Sequence, residues 1–255
     1  MDTGAFARLD GRMKVLRRTI PRALAVLALS LAMAPAAVAA QDCAPPADLT
    51  PWAMETPKPG QVQSGVTVAY HLLTISWAPE WCRTNGAPGT EQRLDCLKPT
   101  GFFLHGLWPN GAAPPYPGYC RPVPSMSRKT LRQMYCRTPS AELLQHEWQK
   151  HGACAWRDAA SYFRQAAKLY DRVVIPSIEA IPPESLTAGV LRAAFVAKNP
   201  WLKLDMMWVE LRDGGRLLEV RICHDLKFRP MRCTSGIGAP DAAHVRLTPS
   251  PTGAF

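Results

Sequence analysis

The densest concentration of reactive side chains in this sequence is His146-Glu147-Trp148-Gln149-Lys150-His151, a run with helical character that is followed at once by Gly152. At about 100° per residue, His146, Lys150, Glu147 and His151 fall at about 0°, 40°, 100° and 140° around a helix, so all four share one sector. Trp148 and Gln149 point elsewhere. Two imidazoles, a carboxylate and an ammonium within two turns are costly to bury and hard to explain by packing. A solvated polar helix face has the same pattern, and the segment alone does not separate the two readings. The chemistry on offer is proton transfer, because an imidazole pKa of about 6.5 populates both base and conjugate acid near neutrality.

The run also begins like a zinc-binding helix, which needs a second histidine four positions after the first. Here that position is Lys150. Its ammonium repels a cation, and His151 lies about 100° further round, so no metal is expected and a zinc hydrolase stands only as an alternative. A second constellation is FFLHGLWPN, residues 102–110, where His105 follows an apolar run and precedes Gly106. A strand end that opens into a loop rich in glycine and proline is where a scaffold commonly presents side chains to a cleft. Trp108 reads either as core or as a ring lining a phosphate or base site. His71, His224 and His244 fall in no such setting and are read as structural.

The elements that must position these groups mix strand and helix signals. VTVAYHLLTISW, residues 66–77, reads as a core strand ending before Ala78-Pro79. Residues 101–105 read as a short strand ending at His105, and residues 109–124, crowded with proline, as loop. Helical periodicity marks residues 127–135, 142–150 and 159–174, with Thr187 capping a further helix over 188–198. Residues 201–211 and 216–222 flank the turn Asp213-Gly214-Gly215 and read as a hairpin. There is no regular βαβ alternation. The expected fold is a single α+β domain with a mainly antiparallel central sheet flanked by helices and held by disulfides.

At the N-terminus, Arg12, Lys14, Arg17, Arg18 and Arg22 precede an apolar run and then the small-residue stretch Ala36-Ala37-Val38-Ala39-Ala40. This is the layout of a secretory signal cleaved after Ala39 or Ala40, and the apolar run is short of the about 20 residues that span a bilayer. The expected organisation is a leader over residues 1–40, a catalytic domain over 41–233 and a loosely ordered tail over 234–255. The net charge of +10 falls to +6 without the leader, which is compatible with a polyanionic partner. All eight cysteines, Cys43, Cys82, Cys96, Cys120, Cys136, Cys154, Cys223 and Cys233, lie beyond the leader. Their even number suits four disulfides in an oxidising compartment, and the absence of a C-x-x-C pair disfavours a zinc ribbon or a thioredoxin-like site.

FFLHGLWPN and HEWQKHGAC resemble the two active-site segments of the ribonuclease T2 family of secreted endoribonucleases. TISWAPEWC, YPGYC, SYFRQAAKLYDRV and EVRIC extend the resemblance, in the family's order, from about Leu72 to Cys233. The resemblance implies cleavage of single-stranded RNA through its own 2′-hydroxyl, giving a 2′,3′-cyclic phosphate and then a 3′-phosphate, without cofactor. His151 would be the general base and His105 the general acid. Glu147 and Lys150 would stabilise the transition state, His146 would hold the phosphate and Trp108 would line the site. DNA lacks the nucleophile and should not be cut. The resemblance also implies the pairs Cys82–Cys96, Cys120–Cys154 and Cys223–Cys233, which leaves Cys43 with Cys136, a pair outside the family's pattern. A monomeric periplasmic or secreted enzyme without a membrane anchor is expected. The alternative from another class is an inactive basic module that binds RNA or acts as a cytotoxin on the same fold.

Overall fold

The β-branched and aromatic run YHLLTISW forms strand β1 (Tyr70–Trp77), every residue of which is buried. A computed structural model describes residues 43–85, 96 and 101–249. The leader expected over residues 1–40, most of the stretch between Cys82 and Cys96, and residues 250–255 lie outside the described residues. Pro79 marks the end of β1 as expected, but the chain turns there into helix α1 (Ala78–Asn85), since proline is accommodated in a first helical turn.

Strand β2 (Phe102–Asn110) follows, then α2 (Arg128–Met134), α3 (Ala141–Lys150), α4 (Ala159–Tyr170) and α5 (Ala188–Lys198). Strands β3 (Met207–Arg212) and β4 (Arg216–His224) complete a four-stranded sheet of order β2-β1-β4-β3. Every pairing is antiparallel. Four helices start on a side chain that accepts a hydrogen bond from the backbone N–H three residues on: Ser127, Ser140, Asp158 and Thr187. Such caps stabilise a helix by about 1 kcal/mol each. The fold is thus the expected α+β domain.

One face of the sheet, carrying Leu73, Ile75 and Trp77 of β1 and Val220 and Ile222 of β4, packs against Leu131, Leu144, Trp148, Tyr162, Phe163, Leu191 and Phe195 of the helices. The other face presents Ser76 of β1, Glu219 and Arg221 of β4, and, by a break in register, His105 and Trp108 of β2. Thr74 pairs with Gly106 while Ile75 pairs with Leu104, leaving His105 as an extra residue bulged out of the ladder. The bulge inverts the alternation of β2. Leu104 and Leu107, three apart, both point into the core, and His105 and Trp108, also three apart, both point away from it. The strand therefore does not end at His105 as the sequence suggests; it bulges there and continues to Asn110.

Four disulfides join Cys43 to Cys136, Cys82 to Cys96, Cys120 to Cys154 and Cys223 to Cys233, the same four pairs named above. Residues 234–249 depart from the loosely held tail expected of them. The backbone N–H of Val209 on β3 donates to Ile237, Ala239 donates back to Val209, and Val245 is buried. The guanidinium of Arg192, fully buried, donates to the carbonyls of Met207, Ile237 and Ala239 and to Asp241. Proline and irregular spacing conceal this segment from pattern reading, because its hydrogen bonds come from other elements.

Candidate active site

Helix α3 carries three of the predicted groups on one side and is pinned by its other sides. Leu144 and Trp148 enter the core, and Gln149 exchanges hydrogen bonds with both backbone groups of Glu55. His146, Glu147 and His151 then face one space, with one donor atom from each lying within 4.8 Å of the others. His151 is the C-cap of α3, and the following Gly152 is required by crowding: a Cβ there would sit 2.6 Å from the Trp148 ring and 2.9 Å from that of Tyr162.

Glu147 is completely buried at the centre of the site. Its Oε2 accepts from Trp108 Nε1 at 2.8 Å and from the Tyr162 hydroxyl at 3.4 Å, while Oε1 faces His105 Nε2 at 3.4 Å. Burial opposes its charge, but the histidines around it, His151 and His105 foremost, hold its pKa down at about 2. This carboxylate reaches β2 only because Gly106 has no side chain. A Cβ at that position would lie 1.8 Å from Glu147 Oε2.

His105 sits between two carboxylates. Its Nδ1 is 2.9 Å from Ser76 Oγ and 3.3 Å from Glu219 Oε2, opposite the Nε2 contact with Glu147. Burial disfavours the imidazolium, yet Glu147 and Glu219 more than offset it and raise the pKa to about 9. His151 has the opposite environment. Burial pushes its pKa down to about 3, with Glu147 opposing and Lys150, His146 and His105 reinforcing the fall. Its Nδ1 is buried without a hydrogen-bond partner among the described residues.

Both imidazoles touch Trp108: His105 edge-on with ring centroids 5.2 Å apart, His151 stacked at 5.0 Å. The Arg221 guanidinium lies 5.2 Å from the same indole ring. Trp108 therefore stands between the two imidazoles with a guanidinium near its ring, more a spacer between them than an open platform. His146 is half-buried and ion-paired through Nδ1 with Glu55 at 2.8 Å, and the Tyr119 hydroxyl donates to the same carboxylate at 2.6 Å. Lys150 lies close enough for its charge to act on both Glu55 and His151. A cavity of about 200 Å³, lined among others by Glu55, Trp81, Asn85, His105 and His146, opens beside these groups.

His146, Glu147 and His151 have the proximity of a metal triad, but Glu147 is engaged by His105, Trp108 and Tyr162, and Lys150 adds positive charge nearby. Glu147 and His146 are thus already engaged by groups outside the triad, while His151 Nδ1 has no partner among the described residues. His71 and His224 are register partners of β1 and β4, buried with pKa values lowered by burial to about 4; His71 packs on Phe228 and Trp156. Sequence reading missed Ser76, Glu219, Glu55 and Tyr119. A polar residue at alternate positions of an apolar strand marks Ser76 and Glu219 in retrospect. Nothing marks Glu55, which lies in an irregular segment without periodicity.

The all-antiparallel sheet, its helices and the four disulfides define an α+β domain with a histidine-rich cleft. Residues 68–184 match the model of the Ribonuclease T2 family. The chain is similar to a probable ribonuclease of Haemophilus influenzae, 29% identical over 180 residues that make up 66% of this chain and 62% of that protein. It is also similar to a ribonuclease of Aeromonas hydrophila, 35% identical over 103 residues, or 39% of this chain and 44% of that one. The chain thus spans less than two thirds of either relative. Among solved structures, the self-incompatibility associated SF11-RNase of Nicotiana alata superposes with a TM-score of 0.51 at 22% identity, over 70% of this chain and 98% of that one. Japanese pear S3-RNase gives 0.52 at 18% identity, over 69% and 98%. Those two likenesses show a shared fold. Over residues 68–184 the chain is thus similar to the ribonuclease T2 family.

Proposed function

We propose that this protein is a metal-independent endoribonuclease that cleaves single-stranded RNA by attack of the 2′-hydroxyl on the adjacent phosphodiester. One observation carries the reading: around a single buried carboxylate, Glu147, one imidazole is held charged and another neutral. Environments that drive two titratable groups apart assign the acid and the base. His151, neutral, takes the 2′-hydroxyl proton. The O2′–P bond forms as the P–O5′ bond breaks, and His105 delivers its Nε2 proton to the departing 5′-oxygen. The product is a 2′,3′-cyclic phosphate. Water then opens it with the roles reversed, His105 accepting the water's proton and His151 returning one to O2′, which leaves a 3′-phosphate.

Lys150 and the donors of His146 stabilise the charge on phosphorus oxygens, and Glu147 balances the imidazolium of His105 and whatever charge His151 gains. The names of the two bacterial relatives support the reaction class. Residues 1–40 act as a cleaved secretory leader, the mature enzyme works as a monomer in the periplasm or outside the cell, and the four disulfides suit that compartment. Among the described residues no helix is long and apolar enough to cross a membrane.

The test is incubation of the mature protein with homopolymeric RNAs in excess EDTA, with products identified by mass. Cyclic phosphates followed by 3′-phosphates are expected, and an analogous DNA should remain intact. Loss of activity on chelation overturns the metal-free mechanism in favour of a cation on His146, Glu147 and His151. RNA binding without cleavage at any pH supports the inactive module instead.

A further inference from the structure

Three strands converge behind the proposed acid. Ser76 on β1 and Glu219 on β4 are register partners, and the bulge on β2 drops His105 onto the same face beside them. The Ser76 hydroxyl donates to Glu219 Oε2 at 3.1 Å. A hydroxyl has one proton to give. With that proton directed at Glu219, Ser76 Oγ can only accept from His105 Nδ1, 2.9 Å away. Nδ1 therefore keeps its hydrogen in both charge states of the ring, and the proton that comes and goes is the one on Nε2, which faces Glu147 and the site.

We propose that Glu219, acting directly and through Ser76, is a positioning residue for the RNA-cleavage reaction: it fixes the tautomer of His105 and keeps its transferable proton on Nε2, aimed at the leaving 5′-oxygen. The inference rests on the ribonuclease reading and adds to it a pair of residues on β1 and β4. Glu219 is itself fixed, because Arg221 donates to its Oε1 from both Nε, at 2.8 Å, and a terminal nitrogen, at 2.7 Å. The same Arg221 lies against Trp108, which contacts both imidazoles. The arrangement therefore joins the back of the acid to the wall beside the base.

The charged and titratable groups facing His105 are Glu147 from α3 and Glu219 from β4, with Arg221 behind Glu219 and His151 beyond Glu147. Removing Glu219's charge leaves Glu147 in place. An opposite charge at this range shifts a histidine by about 1 to 3 pH units, so the Glu219→Gln variant should move the alkaline limb of kcat/KM to lower pH by about 1 unit while the acid limb, set by His151, stays. Ser76→Ala should shift it in the same direction by less, since the direct 3.3 Å contact survives.

The decisive measurement is made on the unaltered enzyme. Nitrogen-15 NMR of the histidine rings above pH 9, with the His105 signal assigned by its absence from a His105→Asn variant, should find the neutral ring carrying its hydrogen on Nδ1. An Nε2–H tautomer there overturns the proposal, as does an alkaline limb that stays fixed in both folded variants. Should Glu219→Gln fail to fold, the wild-type tautomer and the Ser76→Ala profile decide. Failure of the ribonuclease reading itself is separate: it would show as wild-type protein that does not cut RNA in chelator, whatever the tautomer of His105.

Discussion

Gly106→Ala tests how the site is assembled, because one methyl group is aimed at its central carboxylate. The added Cβ would lie 1.8 Å from Glu147 Oε2, 2.7 Å from Glu147 Cδ and 3.0 Å from Trp108 Nε1, and real Cβ atoms essentially never approach anything within 3.0 Å. Glu147 must retreat by about 1 Å or more, or β2 must leave its register on β1. Retreat breaks the 2.8 Å bond from Trp108 and disturbs the 3.4 Å contact with His105. A hydrogen bond to a buried charge contributes about 1.5 to 3 kcal/mol, so chemical unfolding should show a loss of at least that size. Displacement of a catalytic group by about 1 Å costs roughly 100-fold in rate, so kcat on a dinucleotide substrate should fall by about that factor. Gly106→Ser should behave alike. If the alanine variant keeps wild-type stability and turnover, Glu147 does not occupy the place described and the reasoning about the paired imidazoles loses its centre.

The pH profile follows from the two shifted histidines. In the proposed mechanism His105 acts protonated and His151 neutral, so kcat/KM should fall as pH rises through about 9 and again as it drops through about 3. A single ionisation across the whole range would contradict that pairing. His105→Ala and His151→Ala should each lose at least 100-fold in turnover, the low end of what acid–base catalysis supplies, with unfolding midpoints close to wild type; a variant keeping a tenth of the rate refutes its assigned role. His146→Ala should raise KM more than it lowers kcat, because its proposed part is to hold phosphate, and equal loss in both would place it in the chemical step. Replacing Cys120 and Cys154 by alanine should lower stability by about 2 to 5 kcal/mol and lower activity at 37 °C in proportion to the unfolded fraction, read by circular dichroism and rate together.

Much of this protein is legible in one dimension wherever the information is local. The cap Thr187, the helical period that begins at residue 159 and the turn at Asp213-Gly214-Gly215 all depend on neighbours within four residues, and each stands where the spacing puts it, although the helix expected over 159–174 ends at Tyr170. The cluster on α3 is local for the same reason: helical geometry alone brings His146, Glu147 and His151 to one side.

What the chain order could not reveal was decided by contacts between distant segments. The bulge at His105 exists only in the pairing of β2 with β1, and it turns a strand end into a strand that bends past the site. Glu219 and Ser76 meet His105 because three strands lie side by side, and Glu55 reaches His146 across 91 positions. The opposite charge states of His105 and His151 come from the same source. Two identical side chains differ because one is held between carboxylates and the other is buried near positive charge, and burial and partnership are properties of the folded chain, not of residue type.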